Sequence, residues 1–438
     1  MRILHITGYM GDAGIGKAIS GVLRNETEHD HVLMCLERSE KRNETDRCIQ
    51  HGIQVLEAPD PQVAEREIRS ADIVIVHWWN YPPMCAFLMK LSQIPCRALL
   101  WSHISGVTYP FLPAAFLRCF DAVFFTSPVS YENPEWSVSD AEEIRKISRI
   151  VYGLADIQAR NERKTDYHSA GLRIVYVGTF TKSKLHARFA SICAGILERC
   201  PEAEFIMVGD DTRAAWLKDE LDQMGISRFF HWTGFVTDVY TRLRDSDLFL
   251  YPLNPYHFGT TENVLLEALA IGLPIVALRQ AAEKYIVDDG VTGLLAEDIR
   301  DIPSIVEKLY RDEALRERMG NKAQEEMLQK YSISDNIRRF RQGSAAIIGS
   351  AKRTHSFGAA IGETPDEWFL SFLSNKLRIS LAGGHPNGAD LPDILFEDTK
   401  SSIFHFLKYY PGSKQLEEFA KIKKGRPAIP AAPGLGRA

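Results

Sequence analysis

Short apolar runs, each closed by a polar or glycine-rich break, recur along the first 150 residues. RILHIT (2–7) and the segments 31–37, 53–57, 72–78, 97–103, 122–126 and 149–152 read as strands. Stretches of helical period alternate with them at 18–23, 62–70 and 83–93. Strands that are apolar throughout and separated by helices predict a parallel, doubly wound α/β sheet. The rhythm then repeats. Strands are expected at 172–178, 203–210, 248–253 and 275–278, with helices at 187–199, 211–224 and from Val264 onward. Pro303 to Lys330 is a charged helical stretch and Tyr331 to Ile348 another. Beyond residue 350 the pattern changes: Pro365 to Leu373 and Ile403 to Tyr410 are aromatic-rich and helical, while 425–438 is rich in Pro, Gly and Ala and is expected to be disordered.

A chain of 438 residues is comfortable for two such domains, each with its own core. Charged residues make up 25% and apolar ones 45%, as in a soluble globular protein. A net charge of −5 gives the body of the chain no basic surface for nucleic acid. The seven cysteines form no CxxC pair and stop before residue 201, which predicts reduced thiols and a cytoplasmic setting. No apolar run is long enough to span a bilayer, and Met1 to Thr7 reads as a strand, not a signal peptide. From residue 401 onward seven Lys/Arg face two Glu, so the end of the chain offers a peripheral contact with an anionic membrane surface or is simply solvated.

The chemistry concentrates between Tyr251 and Glu297. A strand ending in Pro252 runs into the polar loop NPYHFGTTE, and Asn263 and Val264 then head the helix NVLLEALA, with Asn263 as its N-cap candidate. Strand, polar loop and helix N-terminus together bind anions, because free N–H groups and the helix dipole point into the loop. Glu267, one turn further on, is placed to accept the two hydroxyls of a ribose. A second glycine-rich turn, GDAGIGK (11–17), nearly spells a phosphate-binding P-loop, but Ala18 stands where the magnesium-holding hydroxyl belongs, which argues against an ATPase. Asp245-Ser246-Asp247 is a DxD triplet that precedes a strand instead of following one, so it reads as a helix end without a metal.

NVLLEALAIGLPIVA followed by VDDGVTGLL resembles the donor site of retaining glycosyltransferases with the two-domain GT-B fold, the family-4 type within the group 1 glycosyltransferases. The resemblance implies two Rossmann-like domains facing across a cleft. It divides the chain into an acceptor-side domain (1–156), a linker (157–170), a nucleotide-sugar domain (171–330), a crossover helix (331–350) and an extension (351–438). Gly14 and Gly16 match the family's glycine-rich loop near the donor diphosphate, and His103 matches a histidine beside the transferred sugar. His77 with Trp78, Trp79 and Tyr81 is a candidate acceptor groove, alternatively core. VYGLAD (151–156) stands where the family has NGVD, with Tyr152 replacing Asn, and FFHWTGFV (229–236) resembles the segment that faces the base.

Two departures stand out. Thr179 occupies the place of an expected Arg, leaving Lys184, with Lys182 nearby, to hold the diphosphate. The family's two glutamates stand eight positions apart, yet eight before Glu267 is Gly259; the nearest acid is Glu262, expected to touch the sugar while Thr260 and Thr261 donate to the phosphates. The implied activity is transfer from a UDP- or GDP-linked sugar to a saccharide, lipid-linked or other hydroxyl acceptor in cell-surface polysaccharide or glycoconjugate synthesis, without metal or cofactor. A phosphorylase, a sugar-nucleotide epimerase or a non-catalytic binding protein on the same fold are the alternatives.

Overall fold

The computed structural model describes residues 1–11, 14–154, 171–236, 238–382, 391–397 and 399–422. The expected linker and the tail at 425–438 lie outside the described residues. Seven strands form the first sheet: β1 (Arg2–Thr7), β2 (Asp30–Cys35), β3 (Gln54–Glu57), β4 (Ile73–Trp78), β5 (Ala98–Ser102), β6 (Ala122–Phe125) and β7 (Ser148–Ile150). Their order is β3-β2-β1-β4-β5-β6-β7, all parallel. The second sheet is built from β8 (Leu172–Val177), β9 (Ala203–Val208), β10 (Phe230–Gly234), β11 (Leu248–Tyr251), β12 (Ile275–Leu278) and β13 (Gly293–Ala296). It runs β10-β9-β8-β11-β12-β13, again all parallel. Both are doubly wound sheets, as the apolar runs predict. In each, the order reverses beside the first strand, which opens a ligand crevice at the strand C-termini.

Strand β4 shows why the pattern was readable: all six of its residues are buried, so it had to be apolar on both faces. Helix Ile333–Ile348 then crosses from the second domain to the first, packing Ile337, Phe340 and Ile347 beneath Trp101 and Phe124. Buried Asn336 of this helix clamps the exit of the first domain: its Oδ1 accepts from Tyr152 N at 2.8 Å and its Nδ2 donates to Tyr152 O at 2.9 Å. Asn336→Ala leaves both backbone groups without partners and should cost about 1–3 kcal/mol, read as a lowered denaturant midpoint with an unchanged slope.

The extension is part of the first domain's core. Its helices include Phe357–Ile361, Pro365–Ser371, Ile403–Tyr409 and Lys414–Lys421. They bury Phe357, Trp368, Phe369, Phe372, Phe406 and Phe419 against Trp78, Tyr81 and Phe116. Trp78, Trp79 and Tyr81 are therefore buried beneath this cover, and the acceptor-groove reading of them is corrected to core. No helix among the described residues is long and apolar enough to cross a membrane.

Candidate functional site

Helix Asn263–Ala270 begins one residue earlier than its caps suggested. Glu262 is its N-cap residue, and the amides of Leu265 and Leu266 bond back to the Glu262 carbonyl. Asn263 does not cap, because its Nδ2 reaches across to the first domain and donates to Gly153 O at 2.9 Å. Val264 follows it, partly buried against the second domain's core. The first N–H groups of any helix lack acceptors within it, and here they open at the boundary between the domains.

The Glu262 carboxylate is buried at this mouth. Its Oε2 accepts from Lys184 Nζ at 2.7 Å and from Tyr251 O–H at 2.8 Å. Burial opposes ionisation, but Lys184, His257 and these hydrogen bonds together hold the carboxyl below its usual range. Gly259 explains how the carboxylate fits. A Cβ at that glycine would stand 1.9 Å from Glu262 Oε1 and 2.7 Å from His257 Nδ1. The acid of residue 262 thus fills the space where a side chain at 259 would begin. Sequence reasoning missed Tyr251 and His257, which no local pattern marks; His257 accepts from Gly259 N at 3.1 Å and lies 3.2 Å from buried Glu283.

Glu267 faces the other way along the same helix. Its Oε1 lies 3.6 Å from Lys17 Nζ, a cation of the first domain's glycine turn. Burial pushes its carboxyl up, with Lys17 pulling against that shift. Lys17 was legible as the lysine of GIGK, but the failed P-loop match hid it. Gly14 and Gly16 have separate reasons to be glycine. Gly14, the residue before helix Ile15–Asn25, has a positive φ of 47°, while a Cβ on Gly16 would strike Gly11 O at 1.7 Å.

The remaining candidates are distributed differently from expectation. Thr260 Oγ1 lies 3.0 Å from Thr126 Oγ1, and Thr261 donates to the Thr126 carbonyl, so both hydroxyls bind the first domain and not a phosphate position. Lys182 is exposed, with its Nζ over the Trp216 ring at 5.1 Å. Asp247 joins the start of β11 to β8: its Oδ2 accepts from Arg173 N at 2.9 Å. His103 follows β5 and is partly buried; its Nε2 lies 2.8 Å from His77 Nδ1, and burial pushes the imidazole down to about 3. The neighbouring loop holds the domains together, Ser105 N donating to Phe258 O and Thr108 Oγ1 to His257 O, both at 3.1 Å.

Residues 171–312 match the family described as Glycosyl transferases group 1. Over 203 residues the chain is 25% identical to alpha-D-kanosaminyltransferase of Streptomyces kanamyceticus, covering 44% of this chain and 52% of that protein. It is 24% identical to the lipopolysaccharide core biosynthesis glycosyltransferase LpsE of Rhizobium meliloti, covering 43% and 54%. The matched region thus spans about half the length of each of these relatives. The crystal structure of Anabaena HepE in complex with UDP-glucose superposes with a TM-score of 0.63 at 15% identity, covering 79% of this chain and all of that one. With its two doubly wound sheets in this arrangement the chain has the GT-B fold, and its second domain carries the signature of the group 1 glycosyltransferases.

Proposed function

We propose that the chain transfers a sugar from a UDP- or GDP-linked donor to a hydroxyl of a saccharide, lipid-linked or other acceptor, with retention and without an obligatory metal. One observation carries this reading: two lysine–glutamate pairs, Lys184–Glu262 and Lys17–Glu267, flank the N-terminal turns of one helix at the domain boundary. Glu267 accepts the ribose hydroxyls. The helix N–H groups and Lys184 receive the diphosphate, and Lys17 supplies the second cation that Thr179 cannot. Fixed positive groups aimed at a leaving diphosphate stabilise charge as it develops, most strongly once water is excluded. Glu262 and His103 border the sugar from opposite domains. The names of the relatives, a kanosaminyltransferase and a lipopolysaccharide core biosynthesis glycosyltransferase, support a saccharide or glycoconjugate product.

A panel of nucleotide sugars, followed by donor hydrolysis and by thermal shift with UDP and GDP, tests this. Stabilisation by one nucleotide and turnover of one donor are expected; stabilisation by neither would overturn the reading in favour of a non-catalytic scaffold. Lys184→Ala should weaken nucleoside-diphosphate binding several-fold, more at low salt than at high. His103→Ala should lower turnover and leave nucleotide affinity unchanged, since His103 lies on the sugar side. Equal losses of nucleotide affinity in both variants would show that the split between domains is wrong.

A further inference from the structure

The first sheet reverses its strand order between β1 and β4, so the loops after these two strands flank its ligand crevice. Tyr9 stands in the loop after β1, and Trp79 and Asn80 directly follow β4. The extension returns to this place at Lys400 and Ser401. Ser401 ties it down: its Oγ–H is shared between Trp79 O at 3.4 Å and Asn80 O at 3.2 Å. Its N–H donates to His405 Nδ1 at 3.0 Å, and its carbonyl accepts from the Tyr109 O–H. These bonds hold Ser401 at a positive φ of 68°, which a residue other than glycine adopts only where its surroundings impose it. Ser402 then caps the helix Ile403–Tyr409, accepting from His405 N at 3.2 Å. Lys400 directly precedes this fixed turn.

Lys400 is exposed, yet its ammonium has a defined seat. Its Nζ lies 4.6 Å over the Trp79 ring and 5.4 Å over the Tyr9 ring, within the range where an aromatic face attracts a cation. The rings are held in turn. Tyr9 meets Trp79 edge to face at 5.6 Å, Tyr81 stacks on Trp79 at 4.5 Å, and His405 stacks on it at 6.1 Å. Trp79 and Tyr81 are core, so what the first domain shows to the crevice here is the cation lying on them. No carboxylate pairs with Lys400 among the described residues. The acid that meets these rings, Glu37 in the loop after β2, is engaged by two tyrosines: the Tyr81 O–H donates to its Oε2, and the Tyr409 O–H does so at 3.1 Å. Asn80, fully buried at a φ of 57°, adds an amide whose Oδ1 and Nδ2 have no partner among the described residues. Buried amides are almost always hydrogen-bonded. A donor and an acceptor thus stand unused beside the cation.

We propose that Lys400 selects the acceptor: the crevice between β1 and β4 takes a saccharide that carries an anionic group, a carboxylate or a phosphate. The assignment rests on the transferase reading and gives that reading an acceptor class. β4 and β5 lie about 5 Å apart, so the loop beneath Lys400 is next to the loop that carries His103. An ammonium has three N–H donors, and rings on one side leave the others for a carboxylate or phosphate oxygen. A neutral acceptor would leave that charge to water alone, whereas an anionic one pairs it as water is expelled from the crevice. Lys400 lies outside the family match at 171–312, so the shared donor site does not carry this preference.

The test uses full-length protein saturated with UDP, which fills the diphosphate site so that added anions cannot bind there. Glucose, glucuronic acid, glucose 6-phosphate and inorganic phosphate are titrated separately, with binding read by saturation-transfer NMR. At least one of the two sugar acids should bind about threefold tighter than glucose or better, by an amount that shrinks as salt is raised. The tighter of the two names the anionic group, and inorganic phosphate alone should bind more weakly than either. Lys400→Gln should abolish the preference, and Lys400→Glu should reverse it, so that glucosamine binds better than glucuronic acid. An unchanged thermal shift with UDP shows that both variants are folded. Equal affinities for glucose and both sugar acids in the wild type would overturn the assignment, as would a preference kept in Lys400→Gln. Inorganic phosphate binding as tightly as glucose 6-phosphate would reduce the site to one for a bare anion and overturn the saccharide. A preference lost in Lys400→Gln, with no turnover of any donor by the wild type, would sink the transferase reading and leave the anion-selective crevice standing.

Discussion

Glu267→Gln should raise the dissociation constant for UDP or GDP at least tenfold. The carboxylate sits in the second turn of the helix behind the anion-binding loop, where it can accept both ribose hydroxyls at once. Hydrogen bonds to a charged acceptor contribute about 1.5–3 kcal/mol, and about 1.4 kcal/mol is a factor of ten. The charge also gives the site a pH signature. Burial raises the Glu267 carboxyl above its ordinary value, and Lys17 only partly offsets that. The acceptor form is therefore lost sooner than for an exposed glutamate as the pH falls, so nucleotide affinity should decline on the acid side and Glu267→Gln should abolish that decline. Calorimetry on the folded variant across pH checks both statements. An unchanged constant at neutral pH would remove Glu267 from the ribose site.

What was legible in the sequence and what was not divide along a physical line. Buried parallel strands must be apolar, so β1, β4, β11 and β12 announced themselves, and with them both doubly wound sheets. Strand β13 (Gly293–Ala296) hid inside VTGLL because four residues flanked by glycine look like a loop until β12 pairs with them. The helix Val138–Ile147 also escaped notice. Its surface is mostly polar, with Ile144 alone fully buried.

At the site, residue types survived better than residue roles. An Asn before an apolar run is a good cap by local statistics, but the Gly153 carbonyl lies across the domain boundary and takes its amide. Thr260 and Thr261 were read toward a phosphate because the loop is polar; the partner they have, Thr126, is over 130 residues away. Lys17 and Lys184 illustrate the same limit from the other side, since only folding brings them to acids 250 and 78 residues distant. The aromatic run at 78–81 suggested a groove because nothing in it reveals that residues after 356 return to cover it. Ser401, for one, donates to the carbonyls of Trp79 and Asn80.

The departure from the family's glutamate spacing yields the second large effect. Glu262→Gln should cut turnover about a hundredfold or more while leaving UDP or GDP affinity nearly intact, a loss of the size seen when one preorganised electrostatic partner of a transition state is removed. Gly259→Ala should do much the same without touching a charge, because its Cβ would stand 1.9 Å from Glu262 Oε1 and must evict the carboxylate from the mouth. The stronger test moves the acid back. In Gly259→Glu combined with Glu262→Ala, a carboxylate returns to the position eight before Glu267, entering the same space from the other side, with Lys184 and Tyr251 there to hold it. If Glu262 does the work of the missing first glutamate, that double variant should regain activity that either single change abolishes. If Glu262→Gln instead turns over within twofold of the wild type, the carboxylate does no more than favour the helix dipole, about 0.3–1 kcal/mol of stability, and the sugar is held by His103 and the loop alone.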